Sequence, residues 1–176
     1  MFSAGGNSTS HFLEKKGMQS VSISTVAALI GQSERTLRRR IAEGRVFRAA
    51  DSTVSRTLIP LGDIREQIAI PLGAEEVDLI VAADAGNAEA QNDLALLFLS
   101  HGKFKHAVYW LNLSAKQGYT DAMHWLGRCY LEGKAMVVDE NMGMMWLANA
   151  AAHGHTISQA QIQSIIRKLT GSTRAS

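Results

Sequence analysis

Residues 82–98, AADAGNAEAQNDLALLF, and 114–130, SAKQGYTDAMHWLGRCY, are two copies of one pattern, and a third, AAAHGHTISQAQ, runs from 150 to 161. Set in register they bring Gly86, Gly118 and Gly154 together at separations of 32 and 36 residues. Ala90 then falls against Ala122, Leu94 against Leu126, Phe98 against Tyr130 and Gly102 against Gly133, and Trp110-Leu111 keeps the same beat with Trp146-Leu147. A period in the thirties carrying two helix-length apolar patterns predicts a stack of antiparallel helical hairpins, because one hairpin cannot bury its own apolar face and neighbours must bury it. Small Ala and Gly let the helices approach closely. Trp110, Trp146, Leu94 and Leu126 supply the buried area, at about 1.5 to 3 kcal/mol for each large aliphatic chain.

The spacing Ala122-x3-Leu126-Gly127-x2-Tyr130-x2-Gly133, followed by Asp139-x6-Trp146-Leu147-x2-Ala150-Ala151-x2-Gly154, resembles a unit of the Sel1-like repeat, a relative of the tetratricopeptide repeat, over about residues 77–161. The first unit lacks the longer inter-helix loop, the last is offset by two residues at Ser158-Gln159, and Asp78 stands where a tryptophan is expected. The opening half-repeat is thus degenerate, as terminal capping units are. The resemblance implies an adaptor module with a concave face built from the first helix of each hairpin, about residues 88–100 and 120–131. Counting helical positions from Ala90, Leu94, Ala122 and Leu126 places Asn92, Asp93, His124 and Arg128 on that face as protein-binding residues. Trp125 beside them is either a partner contact or core.

Upstream, Ser24 to Gly44, STVAALIGQSERTLRRRIAEG, has the signals of two short helices around a tight turn. Ser24 is the expected cap of the first, Val26, Ala27, Leu29 and Ile30 its apolar stripe, and Gly31 its end, since glycine reaches left-handed backbone angles at low cost. Ser33 is the expected cap of the second, Glu34 suits the positive end of its dipole, and Leu37 with Ile41 forms an apolar pair one turn apart. Arg35, Thr36, Arg38 and Arg39 remain for solvent, with Arg40 nearer the buried side. That density of guanidinium groups suits phosphates and guanine edges in a major groove.

In the following RVFRAADSTVSRTLIPL, Val46-Phe47 and Val54 to Ile59 are β-prone around the turn residues Asp51-Ser52-Thr53, which predicts a hairpin. Asp63 then caps a short helix with Ile64 and Ile68 one turn apart, and Pro71-Leu72-Gly73 ends the domain. This order resembles the winged helix-turn-helix of the excisionase and MerR-like group over about residues 21–70. The resemblance implies DNA contacts from Ser33, Arg35, Thr36, Arg38 and Arg39 on the recognition helix and from Arg48 and Arg56 on the wing. Arg45 also comes within reach of the backbone there, and Arg40 departs from the group's pattern, its stem able to pack while its head snorkels out.

Charge divides in the same sense: residues 1–72 carry ten Lys/Arg against six Asp/Glu, and residues 73–176 eight against ten. A basic module for a polyanion joined to a module of another kind fits that asymmetry. The single cysteine, Cys129, excludes an intramolecular disulfide and agrees with a reducing cytoplasm. No signal peptide and no membrane span are legible. Six histidines stand without a HExxH or CxxC, and no GxGxxG, GxxxxGK[ST] or GxSxG occurs, so neither catalysis, a metal nor a cofactor is expected.

The sequence thus predicts a mainly α, cytoplasmic, bacterial protein. Its parts are a flexible arm (1–20), a winged helix-turn-helix domain with a β-hairpin wing (21–72), a short α-solenoid of helical-hairpin repeats (73–169) and a flexible tail (170–176). The expected function is transcriptional regulation through sequence-specific binding of double-stranded DNA, with the repeats dimerising the chain or holding a regulatory protein. Two alternatives stand beside it: an excisionase-like accessory protein of a mobile element, and a protein-protein adaptor that does not bind DNA.

Overall fold

The computed structural model describes residues 19–53, 56–134 and 137–172, which fall into two compact units, 1–90 and 91–176. The first unit opens with strand β1 (Ser20–Ser22), which runs directly into helix α1 (Ile23–Ile30). The cap of α1 is Ser22 rather than the expected Ser24, and its hydroxyl accepts the Thr25 N–H. Gly31 ends the helix at φ 66°, the left-handed conformation the turn requires. Helix α2 (Glu34–Ala42) starts on Ser33, whose hydroxyl accepts the Thr36 N–H, and both caps are as the sequence predicts from Gly31 onward. Leu37 is its fully buried residue.

The predicted wing is not a strand pair. Strand β2 (Leu58–Pro60) pairs antiparallel with β1, Val21 opposite Ile59, and not with Val46-Phe47, which take no strand conformation. Val46 turns inward, whereas Phe47 is 68% exposed. The physical reason lies in Ser52: its hydroxyl accepts from Leu58 N–H and donates to Leu58 C=O, occupying the place a second strand would take. Ala49 N–H to Leu58 C=O at 2.9 Å is a backbone bond that remains across the loop. Val54 and Ser55 lie outside the described residues, as does most of the predicted arm, while Ser20 at its end belongs to β1.

A 3-10 helix (Leu61–Gln67) stands where an α-helix capped by Asp63 is expected; Asp63 lies inside its first turn, and Ile64 and Ile68 are buried as predicted. Helix α3 (Ala74–Asp84) follows, with Glu76 reaching back to Gly73 N–H at 2.7 Å. The sequence assigns α3 to the repeats; the structure packs it with β1 in the first unit. That placement alters the charge account, because α3 and its flanks are acidic: residues 1–90 carry ten Lys/Arg against eleven Asp/Glu, and 91–176 eight against five. The basic character of the first unit is local to α2 and the loop after it.

The second unit takes up the rest of α4 (Ala88–Ser100), then α5 (Phe104–Lys116), α6 (Thr120–Leu131), α7 (Glu140–Ala152) and α8 (Thr156–Ser172), which takes in 170–172 of the expected tail, 173–176 lying outside the described residues. The bounds of α4 and α6 are those expected for the first helices of two hairpins. Leu94, Phe98, Trp110, Leu111 and Leu126 are fully buried. Ser158 is also fully buried, in the register of Ala90 and Ala122, so the last unit is not offset. Gly127 on α6 faces Gly143 on α7, and the two backbones approach so closely that a Cβ on Gly127 would stand 2.9 Å from the Gly143 oxygen.

Candidate functional site

On α2 the structure brings Arg35, Arg38 and Arg39 to the surface at i, i+3 and i+4, one face of the helix. Ser33 is exposed at the amino end and Thr36 half-buried, their hydroxyls 2.9 Å apart. Arg38 pairs with Glu34 at 3.2 Å, and Glu43 is shared by Arg39 at 3.7 Å and Arg45 at 3.3 Å. Arg40 is half-buried and donates to the Gln32 carboxamide at 3.1 Å, which fits its departure from the exposed face. Arg48 is exposed beside the Thr53 carbonyl.

Arg56 is placed otherwise than expected. Its guanidinium donates to Asp84 Oδ2 at 2.9 Å, where the carboxylate is only 6% exposed. The same carboxylate accepts from Ser22 N–H, Ser22 Oγ and Thr25 Oγ1, so it gathers the amino end of α1 and the loop before β2. Arg56 is therefore a structural partner of a buried acid, a role no local pattern around it signals.

Among the proposed protein-binding residues the structure separates two groups. Asp93 is exposed, Trp125 and Arg128 are half-buried, and the Arg128 guanidinium lies 5.1 Å from the centre of the Trp125 ring. Asn92 and His124, which hold equivalent positions in successive repeats, are 2% and 5% exposed and do not belong to a surface. Helices in a stack are flanked on two sides, so the arc open to solvent is narrower than a single amphipathic helix suggests. His124 turns to α8: its Nδ1 meets Ser158 Oγ at 2.9 Å, and its ring stacks on His155 at 4.4 Å. Ser158 N–H donates to His155 Nδ1, and His155 Nε2 lies 3.4 Å from Asp121 Oδ1. Burial, then His155 and Arg128, hold the His124 pKa below its ordinary value against the pull of Asp121.

Residues that pattern reading missed complete the region around Arg128. Glu132 accepts from Arg128 Nε at 3.0 Å and Nη2 at 2.6 Å, and its other oxygen meets Lys134 Nζ at 2.6 Å. Hydrogen bonds from these two cations hold the Glu132 carboxyl below the usual carboxylate range. Cys129 is buried, and burial pushes its thiol up to about 11, which disfavours the reactive thiolate. Among the described residues no group of His, Cys, Asp and Glu is arranged to hold a metal ion, and no helix is long and apolar enough to cross a membrane.

Compared with known families, residues 88–119 and 120–155 each match the Sel1 repeat. Two Sel1 repeats thus run from 88 to 155. Their joint, at 119 and 120, is the start of α6, so each matched Sel1 repeat is one helical hairpin, α4 with α5 and α6 with α7. Asp78 and α3 lie outside the match. The comparison with curated proteins gives no match. Among solved structures, the crystal structure of a Sel1 repeat protein from Oxalobacter formigenes is similar at 19% identity, covering 88% of this chain and 96% of that one with a TM-score of 0.48.

Proposed function

We propose that this chain is a regulator in two parts, with Sel1 repeats that bind a protein and a first unit that binds duplex DNA through α2. The protein-binding half is supported by the two repeats. The DNA-binding half rests on one observation, the exposed row Arg35, Arg38 and Arg39 on a capped nine-residue helix, continued by Arg45 and Arg48. Their ion pairs with Glu34 and Glu43 join exposed groups and are worth about 0–1 kcal/mol, so exchange for phosphate oxygens costs little. In this reading the partner at the repeats is a second copy or a regulatory protein, and the output is control of transcription. No catalytic step is assigned to the chain.

A gel shift with genomic fragments and the full chain tests the DNA-binding half. The Arg38→Ala, Arg39→Ala double variant, both positions being exposed and outside the caps, is expected to keep its fold and lose specific retardation. Undiminished affinity in the folded double variant overturns the assignment to α2. The charge of the first unit, eleven acids against ten bases, favours a second reading, an adaptor whose first unit leaves nucleic acid alone. In that case no fragment is retarded even at low salt. Recombination assays separate promoter control from an excisionase-like role.

A further inference from the structure

Two recesses open on either side of the Arg128–Glu132 pair. The larger, about 380 Å³, has an apolar floor of Leu131, Leu147 and Ile165, with Gln161 and Ser164 at its edge. The smaller, about 70 Å³, is walled by Leu99, Phe104, Trp125 and Cys129, with Lys134 beside it. Arg128 and Glu132 line both, so the larger recess is a groove on α6, α7 and α8 with an ionic centre between it and the smaller recess on α4, α5 and α6.

We propose that this groove binds a short acidic peptide segment of a partner protein, a large apolar side chain entering the Leu131–Leu147–Ile165 recess and an adjacent carboxylate bonding to Arg128. This deepens the protein-binding reading of the repeats and rests on it. The volume of the larger recess lies within the range of ligand pockets, and its lining gives an apolar anchor the burial that drives binding. The ionic centre sets the sign of the partner. Two cations, Arg128 and Lys134, converge on the single carboxylate of Glu132, leaving the centre one positive charge in excess. Both Arg128 bonds to Glu132 come from Nε and Nη2, so Nη1 has no acceptor among the described residues and is the donor group for an incoming carboxylate. The Trp125 face fixes the guanidinium plane before the ligand arrives, which lowers the ordering cost of binding. The second unit as a whole is basic, with eight Lys/Arg against five Asp/Glu, and would steer an acidic segment. Gln161 Oε1, at the edge of the recess, is buried without a partner among the described residues.

The test uses the full chain and a dye-labelled hexapeptide with one phenylalanine among glutamates, read by fluorescence polarisation. Its controls are the same peptide with lysines for the glutamates and with serine for the phenylalanine. The acidic, phenylalanine-bearing peptide is expected to bind saturably and to weaken with salt. Arg128→Gln removes a charge-assisted bond and is expected to weaken it about ten-fold or more, with Arg128→Lys between. Ser164→Trp, at an exposed position, is expected to fill the recess and abolish binding without lowering the melting temperature. Equal binding of the lysine peptide, or acidic-peptide binding indifferent to Ser164→Trp and Arg128→Gln, overturns the proposal. If the lysine peptide alone binds and Ser164→Trp blocks it, the repeats still bind protein and only the acidic preference fails. If none of the peptides binds, the proposal fails, and the protein-binding reading is then judged by whether the repeats assemble the chain into a dimer.

Discussion

Arg56 donates to Asp84 at 2.9 Å across 28 residues, tying the loop before β2 to the last residue of α3. Because the acid is buried and three further donors from Ser22 and Thr25 converge on it, this contact joins the first strand, the first helix and α3 into one unit.

Asp84→Ala should destabilise the first unit by about 2–4 kcal/mol, since it leaves partly buried donors without an acceptor. Arg56→Ala should cost less, because its side chain is exposed and water can replace it at the carboxylate. Chemical denaturation of both variants checks the order; an Asp84→Ala variant as stable as the parent chain would refute it.

Gly127→Ala sets two effects against each other. Helix propensity favours alanine by about 1 kcal/mol, and overpacking against a fixed neighbour costs about 1–3 kcal/mol. The obstacle is the Gly143 backbone oxygen, which cannot swing aside, so the melting temperature should fall by a few degrees. Gly143→Ala should lower it as well, since its Cβ would meet Leu131 Cγ and Cδ2 at 2.6 Å and the Gly127 backbone oxygen at 3.1 Å.

Stability should decline as pH drops below about 6.5. The folded His124 binds its proton less readily than the unfolded one, because burial and the neighbouring His155 and Arg128 disfavour its charge; His106 is lowered likewise by burial and Lys103. A depressed histidine contributes no loss above the unfolded pKa, and the loss grows as pH falls from there toward the folded value. Melting temperatures at pH 8 and pH 5.5 should differ more for the parent chain than for His124→Gln.

Cys129 should resist thiol reagents at pH 8 in the folded chain, with burial raising its pKa to about 11, and react at once on unfolding. Rapid labelling under native conditions would show that α6 opens locally around it.

Salt dependence gives an independent reading of α2. Each arginine that displaces a counterion from duplex DNA steepens the fall of log affinity with log salt by about 0.9, so Arg38→Ala and Arg39→Ala together should flatten the slope by about 2.

By itself the sequence determined the repeat and its helices. The period set by Gly86, Gly118 and Gly154 placed α4 and α6 at their observed bounds, and Gly31 and Ser33 marked the end of α1 and the start of α2. These features are local: a cap is satisfied within three residues, and an apolar stripe needs only its own helix. Tertiary structure alone decided the rest. The Ser-Val-Ser of β1 is too short to read as a strand, and Ile59 opposite Val21 defines it. Asp84 drew α3 into the first unit, Ser52 took the place of a wing strand, and the flanking helices buried Asn92 and His124. In each case the deciding partner lies in a different element, often tens of residues away, and burial or pairing then depends on what packs alongside rather than on the residue's own segment.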